Sequence, residues 1–157
     1  MNKLVLFDID STLIEGMPTV EENIAIPQAM KEVYGIDAKE WYNLFNGHGM
    51  TKQQIFLRIL EIRDVDEELA KTKLNDLMER IVEIYENHKD QEKGRILGGV
   101  KKLLQELEKK NVLMGIVTGN LEPVARGKLT AVGIEHYFKI GGFGNEHIDR
   151  TELVKIA

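Results

Sequence analysis

Two unbroken apolar runs constrain this chain more than any other feature. Leu4-Val5-Leu6-Phe7, entered from Lys3, and Val112-Leu113-Met114-Gly115-Ile116-Val117 contain no polar residue that could face water at alternate positions. Strands that are apolar on both faces belong inside a parallel sheet covered by helices. Tyr137-Phe138-Lys139-Ile140, closed by Gly141 and Gly142, reads as a shorter third strand. The segments between them carry helical periodicity. Val100, Leu103, Leu104 and Leu107 form one stripe, and Leu121 to Val132 makes a helix stopped by Gly133. Alternating strands and helices predict an α/β fold built on a parallel sheet.

The stretch from Gly16 to Lys93 has a different character, with no convincing strand and several helical patterns. Ile55, Phe56, Ile59 and Leu60 form one stripe. Leu74, Leu77, Met78, Ile81 and Tyr85 form another, on a helix of about five turns. A shorter helix ends at Gly35, and Trp41, Leu44 and Phe45 suggest one more. This is an all-helical insertion after the first strand.

Composition narrows the function. The 157 residues are 43% hydrophobic and 30% charged with a net charge of −5, and they leave no basic footprint for nucleic acid or an anionic membrane. The absence of cysteine excludes disulfides, thiolate metal sites and cysteine nucleophiles. The first apolar run is too short for a signal-peptide core or a membrane span, so an intracellular, cytoplasmic location is the expectation.

Ligands of open parallel sheets sit at the carboxyl ends of the strands. Asp8 and Asp10 end the first strand, Thr118-Gly119-Asn120 the second, and Gly142 to Arg150 follow the third. Alternate residues of an extended segment point the same way, so Asp8 and Asp10 can address one site. Two adjacent ionised carboxylates call for a cation, and Mg²⁺ suits oxygen ligation by Asp8 and Asp10 with a substrate phosphate. Asp8 is the candidate nucleophile and Asp10 the candidate general acid and base.

Leu4-Val5-Leu6-Phe7-Asp8-Ile9-Asp10-Ser11-Thr12-Leu13-Ile14 resembles the first motif of the haloacid dehalogenase superfamily of phosphohydrolases, with Ser11 where glycine is commoner. Met114 to Asn120 resembles the second motif, in which a hydroxyl, here Thr118, and the following backbone amides hold phosphate. The resemblance covers nearly the whole chain and implies a Rossmann-like core, residues 1–15 and 94–157, with a helical cap at 16–93. It implies substrate contacts from Ser11, Thr12, Gly119 and Asn120. Gly47-His48-Gly49-Met50-Thr51 resembles the cap loop that faces the nucleophile, with His48 as its substrate-contact candidate. The usual third-motif lysine is matched by Arg150, with Lys139 a less suitable alternative. No fourth motif, a Gly-Asp pair with a further acidic residue, precedes Ala157. The favoured expectation is a part of a longer product. The alternatives are a truncated chain with lost activity and a homo-oligomer in which another subunit supplies the missing strands.

These features together predict Mg²⁺-dependent hydrolysis of a small phosphorylated metabolite, close to the phosphoglycolate phosphatase-like branch, through an aspartyl-phosphate. A phosphomutase and a catalytically impaired binding or regulatory module are the other readings.

Overall fold

The computed structural model describes residues 3–15 and 19–157. Met1 and Asn2 lie outside the described residues, as does the expected cap boundary at residue 16. β1 (Leu4–Phe7), β4 (Leu113–Thr118) and β5 (Ile140–Phe143) form a parallel sheet in the order β1-β4-β5. The intervening β2 (Ile14–Glu15) and β3 (Arg95–Ile96) form a separate antiparallel ribbon. Arg95 and Glu15 make an ion pair across it. The α/β architecture follows the strand–helix alternation of the sequence, with α5 (Val100–Lys109), α6 (Glu122–Ala131) and α7 (Arg150–Ile156) between and after the strands.

Between β2 and β3 the chain is helical. A π-helical turn at Glu21–Ala25 runs into α1 (Ile26–Tyr34), followed by α2 (Lys52–Ile62), α3 (Glu67–Thr72) and α4 (Leu74–Glu86). Gly35 closes α1 in the left-handed conformation, φ 73°. α2 starts with a capping box: the Gln54 amide donates to Thr51 Oγ1, and the Thr51 amide donates to Gln54 Oε1. The apolar stripes of α2 and α4 meet in one core cluster that includes Phe56, Ile59, Leu60, Leu77, Ile81 and Tyr85. A second cluster joins the sheet to its helices through Leu104, Ile116, Ala125, Leu129 and Phe138. Leu121 and Val124 of the α6 start belong to the first cluster, so α6 touches both.

Several sequence expectations shift. The third strand begins at Ile140, because Glu135–Tyr137 coil into a 3₁₀ turn, and it continues through Gly141 and Gly142 to Phe143. These glycines are accommodating close neighbours: a Cβ on Gly142 would lie 2.1 Å from the Leu153 carbonyl oxygen. Trp41, Leu44 and Phe45 build only a 3₁₀ turn at Trp41–Asn43. α4 has 13 residues rather than five turns, since the chain breaks at Lys73 between α3 and α4. α6 runs from Glu122 to Ala131, with Leu121 as its extended N-cap. Leu103 is 47% exposed, leaving Val100 and Leu104 as the buried positions of α5.

α4 and α6 meet at their closest where Tyr85 packs on Gly127. A Cβ on Gly127 would stand 2.3 Å from the Tyr85 hydroxyl and 2.7 Å from its Cε1. Tyr85 is fully buried, so its ring has nowhere to move. Gly127→Ala is therefore expected to destabilise the fold by about 1–3 kcal/mol, the range for overpacking, despite alanine's better helix propensity. Urea unfolding measures this, and adding Tyr85→Phe should recover part of the loss.

Candidate active site

β1 and β4 pair in parallel with Phe7 opposite Ile116, so the residues that follow each strand emerge side by side. Asp8, Asp10, Ser11, Thr118, Gly119, Asn120, His48 and Arg150 line one cavity of about 1150 Å³. Asp8 Oδ1 accepts from the Ile9 amide at 2.8 Å, and its Oδ2 lies 2.6 Å from an Arg150 guanidinium nitrogen. Arg150 opens α7, whose N-cap is Asp149, the Asp149 carboxylate accepting from the Thr151 amide. The candidate third-motif residue thus reaches the candidate nucleophile. Lys139 is exposed and lies outside the cavity wall.

Asp10 is held from behind. Asn120 Nδ2 donates to Asp10 Oδ2 at 2.7 Å and to Thr118 Oγ1 at 2.8 Å. Lys128 Nζ lies 3.1 Å from Asp10 Oδ1 and 3.2 Å from Asn120 Oδ1. Sequence reading missed Lys128. A lysine on a mixed, polar helix reads as solvated, yet this one is 5% exposed. Its only sequence signal was its place one residue before the buried Leu129 of a helix that follows the second motif.

The charges explain the ionisation. Burial opposes charging Asp10, but the Lys128 charge, the Asn120 hydrogen bond and the Lys52 charge prevail and hold its carboxyl below the usual value. Burial would likewise discharge Lys128, but the negative charges of Asp10, Glu21 and Glu22 outweigh it and push its pKa upward. A second buried cation, Lys52, sits 2.8 Å from the fully buried Glu21 carboxylate.

Thr118 Oγ1 accepts from both the amide and the side chain of Asn120, which leaves its own proton to donate into the cavity. The first turn of α6 has less to offer an anion than its position suggests. The Glu122 amide already donates to Asn145 Oδ1 at 2.8 Å, and Pro123 has no N–H. Gly119 is required by a close approach, though the group that approaches is protein. A Cβ there would lie 2.4 Å from the Met50 carbonyl oxygen. The Lys52 amide donates to the Gly119 carbonyl at 2.8 Å, Thr51 Oγ1 to the Ile148 carbonyl at 2.9 Å, and Gln53 Nε2 to the Gly144 carbonyl at 2.7 Å. These bonds draw the start of α2, and the His48 loop before it, over the strand ends.

Ser11 adopts φ 60°, the region where glycine costs least, which accounts physically for the glycine expected there. Thr12 departs from expectation: it is exposed and absent from the cavity wall, because its amide turns back to the Ile9 carbonyl. His48 lines the cavity from an exposed loop position.

The oxygen donors suit a hard cation but fall short of a complete site. Asp8 and Asp10 are the carboxylates at the strand ends, with Glu22 a further one on the described cavity wall. Arg150 and Lys128 already compensate the first two, and no group of three acidic or histidine side chains converges among the described residues.

The chain belongs to the haloacid dehalogenase-like hydrolase family, whose sequence profile matches residues 5–145. Its descent is therefore from hydrolases. A curated phosphoglycolate phosphatase from Pseudomonas savastanoi pv. phaseolicola is 26% identical over 145 residues, covering 89% of this chain and 50% of the relative. Two crystal structures share the fold. A predicted phosphoglycolate phosphatase from Haemophilus somnus 129PT aligns at TM-score 0.59 and 22% identity, covering 94% of this chain and 65% of its own. CbbY from Rhodobacter sphaeroides, in complex with phosphate, aligns at TM-score 0.64 and 18% identity, covering 95% and 66%. The chain thus spans about half the length of the curated relative and about two thirds of these structural neighbours.

Lys128→Met strands acidic groups without their cation and should cost on the order of 2–3 kcal/mol in urea unfolding, somewhat below a fully buried pair because Asp10 faces the cavity. Glu92, 8% exposed, has its carboxyl pushed up by burial from an ordinary 4.5. An acid that binds its proton more tightly when folded stabilises at low pH and loses that contribution as pH rises through the raised value. Glu92→Gln should therefore raise the thermal midpoint near about pH 8 and give no gain near about pH 4.

Proposed function

We propose that this chain carries the nucleophile of a phosphomonoester hydrolase acting on small phosphorylated metabolites through an aspartyl-phosphate on Asp8. One observation carries the reading: Asp8, Asp10 and the Thr118 hydroxyl share a cavity wall, with the Arg150 guanidinium 2.6 Å from Asp8. An Asp8 oxygen attacks phosphorus as the ester P–O bond breaks, and Asp10, ionised at rest, takes a proton from the entering monoanionic ester and passes it to the leaving oxygen. Asp10 then takes a proton from water, which attacks phosphorus, releases phosphate and restores Asp8. Arg150 and the Thr118 hydroxyl would hold the phosphoryl oxygens during both steps.

The phosphatases of this family generally use a divalent metal. Magnesium here would draw on Asp8 and the Asp10 segment, and it needs oxygen donors beyond the described residues. The helices from Glu21 to Glu86 serve, in this reading, as a cap over a core of residues 1–15 and 94–157. Closure would exclude water and select the alcohol. A cytoplasmic location is part of the same proposal; no helix among the described residues is long and apolar enough to cross a membrane.

A second reading, a phosphate-binding module without turnover, draws on the charge pairing of both carboxylates. Release of p-nitrophenol from p-nitrophenyl phosphate, with and without Mg²⁺, separates the two. The enzyme reading expects Mg²⁺-stimulated turnover that Asp8→Asn lowers by about 10³-fold or more, equivalent to about 4 kcal/mol. A folded protein with no turnover supports the module, and turnover indifferent to Asp8→Asn contradicts the mechanism.

A further inference from the structure

The cavity extends well past the phosphate end. At about 1150 Å³ it exceeds the space a two-carbon acid would occupy and lies just above the roughly 300–1,000 Å³ of drug-sized ligand sites. Its far wall is built by the segment before α2. Trp41, 4% exposed, packs 6.0 Å from the Tyr42 ring and 6.2 Å from the Phe45 ring, centroid to centroid. Tyr42 is 42% exposed and Phe45 partly so, and both line the cavity. The Trp41 indole N–H is buried and has no hydrogen-bond acceptor among the described residues.

Charge argues in the same direction. The lysine and arginine of the described wall are Lys52 and Arg150. Lys52 is committed to Glu21 at 2.8 Å and lies 5.4 Å from the Trp41 ring centroid, while Arg150 is committed to Asp8. Glu22 adds a further negative charge to the wall. His48 stands exposed at the loop and is the one remaining basic side chain there. A leaving group bearing a carboxylate would share the cavity with Glu22 and find Lys52 and Arg150 already paired, and an unpaired charge removed from water is costly. An uncharged alcohol with an apolar ring face meets none of that cost and gains contact with three aromatic side chains.

We propose that this site selects phosphomonoesters of uncharged, ring-bearing alcohols, and that Trp41, Tyr42 and Phe45 form the subsite for the ring. The proposal rests on the phosphohydrolase reading for the location of the phosphate. It separates this chain from its phosphoglycolate phosphatase relatives, whose named substrate carries a carboxylate in place of a ring.

Binding of inert phosphonates tests it without requiring turnover. Trp41 is the single tryptophan of the chain, so its fluorescence reports the subsite directly. The two probes are 2-phenylethylphosphonate and 3-phosphonopropionate, which share the phosphonate and differ in a ring against a carboxylate. The expected result is about tenfold or greater preference for the phenyl probe, shrinking to within about threefold in Tyr42→Ala and Phe45→Ala. Tyr42 is exposed enough that its variant should fold even where Phe45→Ala does not. Equal or tighter binding of 3-phosphonopropionate, no saturable change with either probe, or a preference that survives in the folded variants would each overturn the proposal. The phosphohydrolase reading is judged separately, by the Asp8→Asn turnover assay.

Discussion

The parallel pairing of β1 with β4 is the constraint on which the rest depends. With Phe7 opposite Ile116, the two strands end level, and Asp8 and Thr118 open into the same space although 110 residues separate them. Gly115 makes the pairing close, since a Cβ there would meet the side chains of Leu6 and Ile140 at 2.8 Å and 2.7 Å. β5 extends the sheet on the far side of β4 and delivers Arg150 at the start of α7. Three strand ends thereby bring their polar residues together with little contribution from flexible loops.

Such convergence concentrates negative charge, and the fold answers with fixed cations. Arg150 meets Asp8, while Lys128 and Asn120 meet Asp10 from the opposite side. Lys128 is also stabilised by Glu21 and Glu22, which belong to the helical insertion. The same buried charge therefore links the strand end to the helices above it. Asp10 remains cavity-facing and ionised, ready to accept a proton, while its position is set by the buried Lys128 and by Asn120 on the cavity wall. Bonds from Thr51, Lys52 and Gln53 tie the start of α2 to the Ile148, Gly119 and Gly144 carbonyls.

Residues whose chemistry and position coincide within one short segment were legible in the sequence. Asp8 directly follows an apolar strand, Asp10 stands two residues further on, Thr118 ends the next strand, and Arg150 stands at the start of a new helix. The insertion was legible from the stripes of α2 and α4. What the sequence hid depended on tertiary burial. Lys128 and Lys52 look like surface lysines until Glu21, Asp10 and Asn120 surround them. The β2–β3 ribbon is two residues long in each strand, too short for any periodicity. The third strand was displaced because its glycines read as a stop, while their role is to admit neighbouring backbone. Trp41 and Phe45 read as helix and instead turn tightly to face the cavity.

The covalent step on Asp8 is the claim with the most resting on it, and chemical trapping addresses it most directly. Protein mixed with p-nitrophenyl phosphate and Mg²⁺, quenched in acid and reduced with borohydride, would convert an acyl-phosphate at residue 8 into homoserine, which peptide mass spectrometry locates. The account requires homoserine at that position and at no other aspartate. Turnover accompanied by an unmodified Asp8, or by reduction at a different carboxylate, would contradict it.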